Sequence, residues 1–134
     1  MNYTIKDISV LRKILWVDCG LGGITAILGL SVFNLLTSIL GLTTTFILSV
    51  SSITLCYAIV ACVLVNQTNI SISLLRTLII ANWIWTFISI GLMLIHFEMA
   101  QPLGKAFLIL QIIAVGALAF LEGKQLIVTT QPGR

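Results

Sequence analysis

The chain has 134 residues, of which 59% are hydrophobic and only 8% are charged, and its mean hydropathy is +1.17. A soluble domain carries about a quarter of charged residues and needs them to cover its surface. This composition excludes a soluble enzyme, a nucleic-acid-binding protein and a secreted disulfide scaffold, and it predicts an integral membrane protein. The small net charge of +3 is therefore interpreted as a signal of membrane orientation.

The N-terminal segment, residues 1–13, places three basic residues ahead of the first long apolar run. Signal peptides share this arrangement, but here the run is longer than a typical signal-peptide core and no A-x-A-like cleavage site follows it. We therefore predict a retained first span. Apolar residues recur every three positions at Ile5, Ile8 and Leu11, so residues 4–12 are expected to form a short helix on the membrane surface.

Four apolar stretches are each long enough for a helix that crosses the bilayer, which takes about 20 residues. They cover residues 14–33, 42–65, 74–95 and 104–125, to within a few residues. None of them contains proline, and polar or helix-breaking residues separate them. We predict a single all-α transmembrane domain over residues 1–134, folded as a bundle of four transmembrane helices.

The distribution of basic residues predicts the orientation of this bundle. With four spans, both termini and the loop at residues 66–73 lie on one side of the membrane. That side holds six basic residues: Lys6, Arg12, Lys13, Arg76, Lys124 and Arg134. The other side holds only Lys105. Since cytoplasmic loops are enriched in Lys and Arg, both termini are expected to be cytoplasmic.

The chain also contains a weak internal repeat, in which residues 11–33 align with residues 75–97. In each copy an Arg is followed six residues later by a polar residue, Asp18 or Asn82, and seven residues further by Thr or Ser. This polar register predicts a duplicated helical hairpin, with two parallel repeats related by an axis along the membrane normal. Chance similarity between apolar helices is the alternative.

Polar side chains inside the spans are candidates for function, because they are costly in a bilayer. Asp18 and Asn82 lie at equivalent depths in the first and third spans, and other polar side chains fall in the same half of the membrane. Helical spacing also groups Asp18 with Thr25, and Asn82 with Thr86 and Ser89, so both of these helix faces are expected to turn into the bundle. We predict a shallow polar cavity open to the cytoplasm. Its candidate ligand-binding residues are Asp18, Tyr57, Arg76, Asn82, Trp85 and Glu122.

A structural interpretation competes with this site. In it, Arg76 extends to the lipid headgroups, and Asp18 forms an ion pair with Arg76 or Arg12. A hydrogen bond between Asp18 and Asn82 serves the same purpose of holding helices together. Trp85 then contacts neighbouring side chains or lipid.

The sequence lacks the patterns of familiar catalytic chemistry. It has one His, no C-x-x-C pair, and no P-loop, H-E-x-x-H or dinucleotide-binding motif. Cys19, Cys56 and Cys62 all fall within spans, where cysteine behaves as a small hydrophobic residue. We expect no catalytic residues, no metal and no cofactor, and favour a protein that is not an enzyme.

Short patterns occur at four places in the chain: Asp18 with the glycines after it, Gly41-Leu42, Asn82-Trp83-Ile84-Trp85 and Leu103-Gly104. Together they resemble the DoxX-like group of small four-helix bacterial membrane proteins. The resemblance covers most of the chain and implies a bacterial cytoplasmic membrane. Some DoxX relatives are membrane subunits of redox systems, but no redox motif here matches that role.

Two functions agree with these observations. The first is an interaction or structural subunit, whose partners are the lipid bilayer and either a second copy of the chain or another membrane protein, and not nucleic acid. The alternative is a small-molecule transporter or ligand-binding membrane protein that uses a polar cavity around Asp18 and Asn82.

Overall fold

The computed structural model describes residues 2–129, and most of them are helical. Its five helices in chain order are α1 (Ile8–Ser31), α2 (Phe33–Leu40), α3 (Thr44–Asn66), α4 (Ile72–His96) and α5 (Pro102–Gln125). All except α2 are long and apolar enough to cross a membrane. The prediction of an all-α membrane protein with four candidate spans is confirmed.

Side-chain caps mark the start of three of the four long helices. The Asp7 carboxylate accepts hydrogen bonds from the backbone amides of Ser9 (3.0 Å) and Val10 (3.3 Å) at the start of α1. The hydroxyl groups of Thr43 and Ser71 accept in the same way at the starts of α3 and α4. Because Asp7 lies in polar sequence ahead of the first apolar stretch, α1 begins before the predicted start of the first span.

Residues 33–40 are helical, whereas the sequence predicts a break between spans in this segment. Its eight residues form α2, which at 1.5 Å per residue is far too short to cross a bilayer. Phe33 and Leu36 pack against the protein core, while Leu35 and Ile39 face outwards. Gly41 ends the helix with a φ of 69°, a backbone conformation that favours glycine.

The four long helices form a ring in which α1 packs most extensively on α3, and α4 on α5. Contacts of α1 with α5, and of α3 with α4, close the ring. Small residues allow α1 and α3 to approach closely. Gly22 lies against Ala58, and Gly29 lies so close to Ser51 that a Cβ atom at Gly29 would overlap the Ser51 side chain. This agrees with the role of small residues in packing membrane helices.

Two apolar clusters fill the bundle, one towards each end. The first cluster consists of Leu11, Leu15, Ala61, Leu64, Val65, Leu75, Leu78 and Ile79. The second cluster consists of Leu40, Leu42, Phe46, Ile47, Val50, Trp85, Ala100 and Leu108. Tyr57 packs against both clusters, so it marks the level at which they meet.

The two described ends of the chain pair as short antiparallel strands, β1 (Asn2–Ile5) and β2 (Leu126–Thr129). The expected surface helix over residues 4–12 is therefore wrong. Residues 2–5 are extended, and from Ile8 onwards the chain already belongs to α1. The physical reason is that Ile5 and Leu126 pack together against the first cluster, a contact between opposite ends of the chain.

Candidate functional site

A layer of polar side chains crosses the bundle just beyond the first cluster. Asn82 on α4 donates a hydrogen bond of 3.2 Å from Nδ2 to Oε2 of Glu122 on α5. The carboxyl group of Asp18 on α1 lies next to both side chains. All three are buried, with exposed fractions of 7% for Asp18, 3% for Asn82 and 0% for Glu122.

Helical periodicity places these side chains on inward faces. On α1, Leu11 and Leu15 are buried one or two turns before Asp18, so the carboxyl group continues an apolar face into the bundle. On α4, Asn82 is followed by two further buried polar residues, Thr86 and Ser89. The predicted inward face of the third span is therefore confirmed.

The hydrogen bonds of this layer are incomplete. Oδ2 of Asp18 and Oε1 of Glu122 are buried and have no hydrogen-bond partner among the residues that the structure describes. Oε1 of Gln111 on α5 is in the same condition, although its Nε2 donates to Ser89 Oγ at 3.4 Å. Buried polar atoms in native proteins are rarely left without partners, so this layer has unused bonding capacity.

A cavity of about 230 Å³ begins at this layer and extends towards the second cluster. All four long helices line it, mostly with apolar side chains. Its polar lining residues are Asp18, Thr25, Thr54, Tyr57, Asn82 and Gln111. We call this space the central cavity. Such an apolar pocket with a few convergent polar groups is typical of a small-molecule site.

The margin of the central cavity lies between α1 and α5. Leu21 and Leu110 line it and also face out of the bundle, with exposed fractions of 52% and 64%. The cavity therefore borders the face that lipid covers. Towards the termini, the buried side chains of the first cluster fill the bundle next to the polar layer. The predicted opening to the cytoplasm stays a prediction.

A second cavity of about 250 Å³ adjoins the central one. The two share lining residues Thr25, Val50, Thr54 and Phe107. The second cavity continues between α1 and α3 to α2, and most of its lining is apolar. Together the two cavities form an elongated space with the polar layer at one end.

Two predicted aromatic residues stand beside the polar layer. Tyr57 and Trp85 both line the central cavity, with ring centroids 6.3 Å apart. The Tyr57 hydroxyl donates a hydrogen bond of 3.2 Å to the carbonyl oxygen of Ala81, which fixes the ring against α4. The structure thus brings five of the six candidate residues to one region, although Glu122 lies behind Asn82 and does not line the cavity.

The sixth candidate, Arg76, lies elsewhere. Its guanidinium group stacks over the Tyr3 ring at 4.3 Å, on the exposed side of α4. Arg12 donates from Nη1 to the Val65 carbonyl oxygen (2.6 Å) and from Nη2 to that of Gln67 (2.7 Å). The expected ion pair of Asp18 with either arginine is therefore absent within residues 2–129, because both guanidinium groups have partners at the end of the bundle.

A disulfide bond joins Cys19 on α1 to Cys62 on α3, with their Cα atoms 5.3 Å apart. The expectation that these cysteines act only as small hydrophobic residues is wrong. Sequence alone did not predict the pair, because 43 positions separate the two residues and only the packing of α1 on α3 brings them together. Cys56 is a free, exposed cysteine.

No group of three or more His, Cys, Asp or Glu side chains suited to a metal ion occurs in the described part of the chain. No protein-family model matches the chain, and no curated protein or solved structure matches it either. The resemblance to DoxX-like proteins accordingly gains no support from these comparisons.

Proposed function

We propose that this chain is a ligand-binding membrane protein that holds a small, largely apolar molecule in the central cavity, for binding or for transport. The observation that carries the proposal is the incompletely bonded carboxyl group of Asp18 beside that cavity. In a purely structural polar layer, the helices would satisfy one another's buried polar atoms. Here an oxygen atom of the Asp18 carboxyl group lacks a hydrogen-bond partner at the point where the described helices enclose the central cavity.

The margin between α1 and α5 supports the same function. A ligand that dissolves in the bilayer reaches Leu21 and Leu110 without passing through water. Burial of the ligand's apolar surface against the apolar lining stabilises the complex, and the polar layer fixes the orientation of the ligand.

Native mass spectrometry of the protein released from mild detergent tests the proposal. We expect a discrete bound mass on the wild-type protein. Ala114 lines the central cavity, so Ala114→Phe should fill it and remove that mass. Ala117, three residues along the same helix, is exposed on the outer face. Ala117→Phe is the matched control and should keep the bound mass.

A bound mass that survives Ala114→Phe, or its absence from wild type, would contradict a ligand in this cavity. A bare wild-type oligomer would instead favour the second proposal, an interaction or structural subunit. Gly20 and Gly23 on α1 favour that alternative, because nothing lies within 4 Å of a Cβ atom built at either position. A second copy or another membrane protein can approach closely there, and Gly23→Leu should then dissociate the oligomer.

We also propose that both termini are cytoplasmic. The pairing of β1 with β2 supports this arrangement, since the ends of the described chain meet beside Arg12 and Arg76. A C-terminal fusion to a reporter that is active only in the cytoplasm should be active. The bacterial cytoplasmic membrane rests on the resemblance to DoxX-like proteins alone and stays a proposal.

We further infer that the two hairpins, α1 with α3 and α4 with α5, are repeats. In support, these are the two most extensive helix pairs, and Asp18 lies next to Asn82, its equivalent in the alignment. An exchange of the two side chains tests this. If the positions are equivalent, the double variant Asp18→Asn with Asn82→Asp should recover most of the stability that each single change removes.

A further inference from the structure

Resting on the proposed function, we infer that the ligand is a lipophilic organic cation. Its positive group binds at Asp18, and its apolar part extends through the central cavity into the second cavity. The inference combines the charge of the polar layer, the aromatic lining and the shape of the joined cavities.

The polar layer holds two acidic residues that the protein leaves without a cation. Asp18 and Glu122 are both buried, and Oδ2 of Asp18 and Oε1 of Glu122 have no hydrogen-bond partner among the described residues. Within residues 2–129, no Lys, Arg or His lines the central cavity. A buried carboxylate without a partner is costly, and a cationic ligand removes that cost by pairing with it.

The aromatic lining favours an organic cation. Tyr57, Trp85 and Phe107 come from three different helices and all line the central cavity. Aromatic faces attract ammonium groups, most strongly where water is excluded. The combination of a carboxylate with several rings is typical of sites for alkylammonium groups.

The shape of the space indicates an apolar tail. Because Thr25, Val50 and Phe107 line both cavities, a chain attached to the cationic group has a continuous apolar path towards α2. An inorganic cation makes no contact with an apolar path, and Mg²⁺ or Ca²⁺ takes about six oxygen ligands or more. The mostly apolar lining does not supply them.

Fluorescence of a single tryptophan measures this binding. Trp16 and Trp83 are exposed, so Trp16→Phe with Trp83→Phe leaves Trp85 as the reporter in the full-length protein. In lipid nanodiscs, three probes of equal chain length are compared: octylammonium, octanol and octanoate. We expect saturable changes with octylammonium, and at least about tenfold weaker binding of the other two, since neither carries the positive charge that pairs with the Asp18 carboxylate.

Charge-removing variants complete the test. Asp18→Asn should weaken octylammonium binding at least about tenfold while octanol binding stays the same. Glu122→Gln provides a second variant of the pair in case the first does not fold. Asp7→Asn is the matched control, because Asp7 caps the start of the same helix, away from the cavity, and asparagine also caps helices well. It should leave binding unchanged.

Each other outcome overturns the inference. Equal binding of octylammonium and octanol, both abolished by Ala114→Phe, would leave the ligand-binding function intact and refute its cationic class. If sodium ions change Trp85 emission in the wild-type protein but not in Asp18→Asn, the cation that binds at Asp18 is inorganic. If no probe changes Trp85 emission while native mass spectrometry still shows a bound mass, the class again fails and the proposed function stands.

Discussion

The Asn82 side chain links α4 to α5 through its hydrogen bond of 3.2 Å to Glu122 Oε2, across 40 positions of sequence. Asp18 completes the layer from α1. Three helices thus meet through polar side chains at the end of the central cavity. The same layer therefore has consequences for stability and for binding.

Replacement of Asn82 by Leu is expected to destabilise the bundle. Leucine has a similar volume, but it cannot donate a hydrogen bond to Oε2 of Glu122. Both carboxyl oxygens of Glu122 would then lack a donor, because Oε1 has none in the wild-type structure of residues 2–129. The cost should be about 1–3 kcal/mol, the penalty for a buried polar atom that loses its partner. Asn34 on α2 is exposed, and Asn34→Leu should change stability by less than about 0.5 kcal/mol. Reversible unfolding in mixed detergent micelles measures both, and equal effects would contradict the assigned role of Asn82.

The contact of α1 with α3 predicts different outcomes for two glycines of the same helix. Gly29→Ala places a methyl group against the Ser51 side chain, so α1 and α3 must separate, at a cost of about 1–3 kcal/mol. Gly23→Ala meets nothing within 4 Å and should be neutral or stabilising, because alanine favours helices by up to about 1 kcal/mol. Thermal unfolding of the two variants decides the point, and a stabilising Gly29→Ala would be inconsistent with this packing.

The disulfide predicts a specific count of reactive thiols. After denaturation without a reductant, a maleimide reagent should label Cys56 alone, whereas after reduction it should also label Cys19 and Cys62. Mass spectrometry of the intact chain reads the number of labels. Three labels without a reductant would show that the bond is absent from the protein.

The same bond is expected to stabilise the fold. Cys62→Ser should lower the free energy of unfolding by up to about 4 kcal/mol, the entropy cost of closing a loop of this length. Cys56→Ser, on the exposed face of the same helix, is the control and should have little effect. Unfolding under non-reducing conditions compares the two variants.

The strand pairing at the ends of the chain predicts an engineered crosslink. Tyr3 and Val128 are direct partners in the antiparallel register, and partners of this kind lie within the reach of a disulfide. In a Cys56→Ser background, Tyr3→Cys with Val128→Cys should crosslink on mild oxidation. Tyr3→Cys with Lys105→Cys, which joins opposite ends of the bundle, should not. Similar yields from the two pairs would disprove the register.

The sequence by itself determined the membrane class and the four spans, because long apolar runs and scarce charges admit few alternatives in a bilayer. Helical periodicity also placed Asp18 and Asn82 on inward faces, since that argument needs only neighbours on the same helix.

Contacts between distant parts of the chain were decided by the tertiary structure alone. The bond between Cys19 and Cys62 depends on how α1 packs against α3, and the strand at residues 2–5 depends on a partner at the other end of the chain. Arg76 was assigned to the site by its depth alone, but its stacking on Tyr3 takes it to another surface. The central cavity likewise exists only where four helices leave space between them, which periodicity within one helix does not predict.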